Sequence, residues 1–202
     1  MAQDYDVSLK LLFRRSKGVA IQRLLGDEVE EWLNVELPRV GNPRVDMLAR
    51  TKGGGLCNLE VQSSNDSGMA RRQAEYYLAL HRLYGEHVRQ VVLYIGPGPL
   101  TMGPHFLTPA MRFQFELVDV RQFDGETLLA SGDLGDAMLA LLTNIDKERV
   151  GRSVWPEISR MPASRREDTV TEFLLISGLR GLESWVLERA RTLMPLSIDV
   201  IL

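Results

Sequence analysis

The sequence predicts an α/β fold: a mixed β-sheet core flanked by helices and followed by a helical C-terminal part. Three stretches carry that expectation. "VDMLARTKGGGLCNLEVQ" holds two strand-length runs hinged on glycines, "VRQVVLYIG" is a continuous apolar run, and helical periodicity lies on either side of both. Strand patterns interleaved with helical ones point to a sheet covered by helices.

Taken in order, "VSLKLLFRRSKGVAIQRLLG" and "DEVEEWLN" repeat apolar residues at helical spacing, so residues from about 6 to 34 read as one or two helices. Pro38 and Pro43 break the pattern. Residues 44–50 and 56–62 read as strands joined by "TKGGG", whose glycines suit a turn needing positive φ, which makes a β-hairpin. "MARRQAEYYLALHRLYG" carries Met69, Gln73, Tyr76, Tyr77, Leu80 and Tyr84 at spacings of three and four, with Gly85 as its C-cap. Residues 88–96 read as a strand buried on both faces, and "RFQFELVDV" as one alternating strand with Phe113, Phe115 and Leu117 on one side. Beyond residue 126 the periodicity is helical, with a bend expected at Gly178 or Gly181. The expected division is a core over 1–125 and a helical extension over 126–202, packed on or beside it.

Composition narrows the function classes. A net charge of −3 argues against nonspecific coating of DNA, although Arg14, Arg15 and Lys17, Arg71 and Arg72, and Arg165 and Arg166 form local basic clusters that read first as solvated helix faces. No run reaches the roughly 18 to 20 apolar residues of a membrane span, and the N-terminus "MAQDYDVSLK" has acids where a signal peptide has bases; no membrane partner and a cytoplasmic location are expected. The single cysteine excludes an internal disulfide and a multi-cysteine zinc site.

The hairpin carries the chemistry. Strand side chains alternate, so Cys57, Leu59 and Val61 share one face and Asn58, Glu60 and Gln62 the other. A five-residue loop closing Arg50 against Leu56 sets Asp46 across from Glu60, with Cβ atoms about 5 Å apart. A three-residue loop closing Lys52 against Leu56 sets Asp46 across from Gln62 instead. Either register leaves Asp46, Glu60 and Gln62 on one face. Two facing carboxylates in a partly buried site need a proton or a cation between them, and a few hard oxygen ligands suit Mg²⁺. Metal-assisted attack of water on a phosphodiester follows as the candidate chemistry.

Helix, hairpin with Asp then Glu-x-Gln, helix and buried strand together resemble the core of the PD-(D/E)XK nuclease superfamily, whose motif places an Asp on one strand and a (Glu/Asp)-x-Lys on the next. More narrowly, "DYDVSLKLLF", "PRVDML", "LEVQS", Arg72 and Tyr76 of "RRQAEYY", and "FELVDVRQFDGETLLAS" resemble the Rpn family of recombination-promoting nucleases and putative transposases, over about residues 4 to 145. The resemblance implies a restriction-endonuclease-like core and a metal-dependent DNA endonuclease, with Asp46 and Glu60 as ligands to Mg²⁺ or Mn²⁺ and Gln62 at the position of the superfamily lysine. Glutamine there is described for many members of this family. DNA is the implied partner, and a homodimer is an assembly it leaves open. Arg72 would offer its fork to phosphate oxygens, and Tyr76, one turn on, would share that edge. A first-helix glutamate usually completes such a site; Glu28, Glu30, Glu31 and Glu36 are the candidates, with Glu36 favoured for its place beside the hairpin. The competing reading is a catalytically inactive module that binds nucleic acid or protein.

Other conspicuous residues have plainer explanations. Cys57 reads as a small buried hydrophobe, His81, His87 and His105 have no metal spacing, and "GPGP" reads as a turn, since no Lys-Ser or Lys-Thr follows it.

Overall fold

A computed structural model describes residues 2–34 and 46–193. In chain order it contains α1 (Ala2–Arg15), α2 (Val19–Leu25), β1 (Val29–Leu33), β2 (Met47–Thr51), β3 (Leu56–Gln62), α3 (Met69–Tyr84), β4 (Val88–Tyr94), β5 (His105–Leu107), β6 (Arg112–Gln114), β7 (Glu116–Asp119), α4 (Gly125–Ala130), α5 (Leu134–Ala140), α6 (Lys147–Arg160), α7 (Ala163–Gly178) and α8 (Glu183–Leu193). Two compact units emerge, one of residues 20–120 and the other of residues up to 19 together with those from 121 onward. The sequence predicts a boundary at residue 125 with the first helix in the core; α1 instead contacts α5 and α7, all within the second, helical unit. No helix among the described residues is long and apolar enough to cross a membrane.

The first unit is built on a five-stranded mixed sheet in the order β1-β2-β3-β4-β7. β1 pairs antiparallel with β2 and β2 with β3, while β3, β4 and β7 are parallel. The mixed sheet flanked by helices is what the sequence predicts. The hairpin register pairs Met47 with Leu59 and Arg50 with Leu56, so the five-residue alternative is the one adopted. Gly54 makes the loop work: its φ of 85° lies in the left-handed region and its amide donates to the Thr51 carbonyl at 2.9 Å. As a central strand, β3 is buried along nearly its whole length, on both faces. β4 is likewise buried, as its unbroken apolar run predicts.

Two sequence expectations are corrected. Residues 29–33, expected to continue a helix, form the edge strand β1. The helix stops at Gly26, whose φ of 78° only glycine adopts readily and whose amide closes on the Gln22 carbonyl at 2.8 Å. After it, Val29, Trp32 and Leu33 suit a strand, and pairing with β2 decides the matter. "RFQFELVDV", expected as one strand, divides at Phe115. β6 pairs with the short β5 in a separate two-stranded ribbon, whereas β7 joins the main sheet beside β4. Elsewhere the helices follow their periodicity. The bend expected at Gly178 or Gly181 separates α7 from α8, with Gly181 at φ 65°.

α3 lies on the face of the sheet that carries Leu56, Asn58 and Glu60. Leu48, Leu56 and Val88 pack against Tyr76 and Leu80, and Val92 packs with Met69 and Phe115. A polar pair sits within this apolar layer: Asn58 Nδ2 donates to Gln90 Oε1 at 2.8 Å across the parallel β3–β4 pair, and both side chains are buried. Their other amide atoms, Asn58 Oδ1 and Gln90 Nε2, have no hydrogen-bond partner among the described residues. Removing one partner strands the other, whereas replacing both removes the mismatch. Asn58→Leu is therefore expected to destabilise the fold by about 1–3 kcal/mol. Adding Gln90→Leu should recover part of that loss, as measured by urea unfolding of the parent, the single and the double variant.

Candidate active site

Asp46 stands immediately before β2, and carrying the hairpin register one step beyond Met47 and Leu59 sets it beside Glu60. Its Oδ2 accepts from the Val61 amide at 3.5 Å, at the long end of hydrogen-bond range. Glu60 is only 4% exposed, so its carboxylate must find its partners inside the protein. It finds three. Oε1 accepts from Arg72 NH2 at 2.8 Å and from Gln62 Nε2 at 3.1 Å, and Oε2 accepts from Gln73 Nε2 at 3.2 Å.

α3 delivers two of these donors, Arg72 and Gln73, by its own period. Met69, Arg72, Gln73 and Tyr76 fall at spacings of three and four and so share the face turned to the sheet. Arg72 is forked: NH2 goes to Glu60 and NH1 to Asp66 Oδ2 at 2.7 Å. Asp66 is itself fixed, since its Oδ1 accepts from the Gly68 amide at 2.7 Å in the turn entering α3. Burial opposes the charge on Arg72, but Glu60 and Asp66 more than offset this and hold its pKa above the ordinary value. The Tyr76 phenol is pushed up to about 12, first by burial, then by Glu60; Arg72 works the other way, and Asp46 adds to the rise. Tyr76 thus senses both strand carboxylates and the guanidinium at once.

The structure therefore brings Asp46, Glu60, Gln62, Arg72 and Tyr76 together. Glu36 lies outside the described residues. Glu28, Glu30 and Glu31 are not on a helix: Glu28 precedes β1 and pairs with Lys52, while Glu31 stands opposite Arg50. That places them toward the loop end of the hairpin, about four residues and ~13 Å along β3 from Glu60. Two members of the cluster were not singled out from the sequence. Gln73 sits in the otherwise apolar stripe of α3 and is fully buried; a glutamine in a buried stripe was the signal available. Asp66 lies in the turn before α3, and its hold on Arg72 depends on a turn geometry that no local pattern encodes.

The facing carboxylates were expected to need a proton or a cation. At Glu60 the cation is Arg72. Among the described residues no three His, Cys, Asp or Glu side chains gather to form a ready metal cage. The two carboxylates nevertheless supply hard oxygen donors, which fits an ion of the Mg²⁺ kind that takes one or two carboxylates and keeps several waters. Cys57 faces the other way, is 1% exposed, and has its thiol pushed up to about 12 chiefly by burial. It is an inert core residue, as the sequence predicts.

The Tyr76 shift sets an alkaline signature. Because its folded pKa lies above the unfolded value near 10, the protonated phenol stabilises the fold below that pH, and the contribution is lost as pH rises toward about 12. Ultraviolet titration of the folded protein should show a late phenol component that Tyr76→Phe removes. The variant should also lose part of the decline in stability over that interval.

Neither a family model nor a curated protein sequence matches the chain. Among solved structures, a repair endonuclease from Pyrococcus abyssi aligns with 22% identity over 50% of this chain and 39% of its own, at a TM-score of 0.35. A structure described as an EndoMS complex with double-stranded DNA aligns with 24% identity over 37% of this chain and 31% of its own, at a TM-score of 0.28. The chain thus spans well under half the length of either.

Proposed function

We propose that this protein is a Mg²⁺-dependent DNA endonuclease, with Mn²⁺ able to substitute, of the recombination-promoting nuclease kind that its motifs resemble. The observation that carries the reading is the convergence of Asp46, Glu60 and Gln62 on one face of neighbouring strands, with Arg72 bonded to Glu60. Asp46 and Glu60 would hold the ion, which when bound supplies Lewis-acid polarisation of a phosphoryl oxygen and lowers the pKa of coordinated water. Gln62 is oriented by its bond to Glu60, leaving its amide oxygen to accept a hydrogen bond from the attacking water. Arg72 keeps positive charge beside the carboxylates, so an anionic phosphodiester meets less repulsion. Tyr76 is protonated at neutral pH and so acts as a hydrogen-bond donor rather than a base. Hydrolysis adds water across one P–O bond, giving one phosphate end and one hydroxyl end. A single site of this kind cuts one strand, and two copies would serve both. A reducing cytoplasm suits the lone buried thiol.

A second reading has an observation of its own. Glu60 is already matched by Arg72, Gln62 and Gln73, as a structural polar cluster in a noncatalytic nucleic-acid-binding or protein-interaction module would be. The two readings part in a plasmid-nicking assay with Mg²⁺, Mn²⁺ and EDTA arms. The nuclease requires cleavage that EDTA abolishes and that falls roughly 100-fold or more in Asp46→Asn and in Glu60→Gln, with Gln62→Ala losing about tenfold. Parent and Asp46→Asn nicking at equal rates would leave only the noncatalytic module, and calorimetry should then find no Mg²⁺ or Mn²⁺ binding that depends on Asp46.

A further inference from the structure

The helical unit holds a cleft between α6 and α8 that the proposed active site does not use. Its volume is about 540 Å³, within the range of ligand sites, and Arg152, Trp155, Ser159, Trp185 and Arg189 bound it. The α6 residues recur at spacings of three and four, and Trp185 and Arg189 are one turn apart on α8, so each helix contributes a single stripe.

The aromatic part is rigid. Trp185 is tilted 56° against Trp155 at 6.2 Å and meets Phe173 edge-on at 6.0 Å, and its Nε1 donates to Glu148 Oε1 at 2.8 Å. Gly151 lets the rings close: a Cβ there would lie 3.0 Å from Trp185 and 3.2 Å from Trp155. Trp185 remains partly exposed, with Lys147 Nζ 5.9 Å from its ring centroid, a flexible cation that a stacking base would displace. The basic part is uncommitted. Arg149 and Arg160 on the same helix pair with Glu126 and Glu157, whereas Arg152 and Arg189 are exposed and have no ion-pair partner among the described residues.

Fixed indoles beside unpaired guanidiniums match a planar base carrying a phosphate: the ring stacks at low entropic cost and the phosphates meet the arginines. We propose that this cleft binds single-stranded DNA, with a base against Trp185 and neighbouring phosphates on Arg152 and Arg189. The choice of DNA rests on the nuclease reading; the ring-and-phosphate chemistry does not. A strand fits better than a free nucleotide because both guanidiniums stand at solvent on different helices, whereas a mononucleotide site encloses most of its ligand.

Titration of the full chain with a short oligothymidylate in EDTA, followed by tryptophan fluorescence, reads the cleft directly, since two of the three tryptophans line it. Quenching should survive Trp32→Phe and Asp46→Asn. The double variant Arg152→Ala/Arg189→Ala, checked for native circular dichroism, should bind roughly tenfold or more weakly, with a log-affinity against log-salt slope shallower by about 1.4 for two lost single-strand phosphate contacts. Thymidine monophosphate should bind more weakly than the strand. An unquenched titration, parental affinity in the double variant, or monophosphate binding as tightly as the strand overturns the proposal. Quenching without any plasmid nicking would sink the nuclease reading and leave this cleft standing; nicking without quenching does the reverse.

Discussion

A carboxylate held between a sheet and a helix governs the first unit. Glu60 is 4% exposed, and a bare carboxylate in that position would be untenable. Its oxygens accept from Arg72, Gln62 and Gln73, and two of these residues lie on α3. Rotating α3 by one residue, about 100°, would turn both donors away together with Met69, Tyr76 and Leu80, which share their face. The hydrophobic layer of Tyr76, Leu80, Leu56 and Val88 and the buried carboxylate therefore favour the same rotational setting of α3.

The same anion couples elements that lie apart in sequence. Arg72 spends its second prong on Asp66, and Asp66 in turn closes the backbone turn at Gly68. Strand β3, the loop after it and the first turn of α3 are therefore tied through one guanidinium. The hairpin register enters as well. Shifting β2 by one residue would send Asp46 to the opposite face, because side chains alternate with period two. Closure by the five residues between Arg50 and Leu56, with Gly54 in the left-handed region, prevents that slip.

This also shows what could be read from residues and what could not. The hairpin, its glycine loop and the shared face of Glu60 and Gln62 follow from local rules of alternation and turn chemistry, so they were legible. α3 and its C-cap at Gly85 were legible for the same reason: a 3.6-residue period and a terminating glycine. β1 was not, because Val29, Trp32 and Leu33 fit a helical spacing as well as a strand, and only pairing with β2 breaks the tie. The division of "RFQFELVDV" was hidden similarly, since both halves alternate correctly and differ only in which distant strand they meet. Convergence of Asp46, Glu60 and Gln62 could be argued from register alone. That Arg72 meets Glu60 while Gln73 stands behind it depends on how α3 lies across the sheet, which is a tertiary fact.

Glutamine at position 62 changes the electrostatics of the cluster under the proposed reading. Among the described residues, Asp46, Glu60 and Asp66 set three carboxylates against the guanidinium of Arg72, a formal excess of two negative charges within that group. A lysine at position 62 would halve that excess; Gln62 leaves it whole. A phosphodiester brings a further negative charge and would be repelled from such a site in a partly desolvated setting. A divalent cation cancels the excess in one binding event, whereas a monovalent ion leaves half of it. The dependence on a dication should therefore be steeper with Gln62 than with lysine at that position, because here the ion must make the site receptive to phosphate as well as promote attack on it.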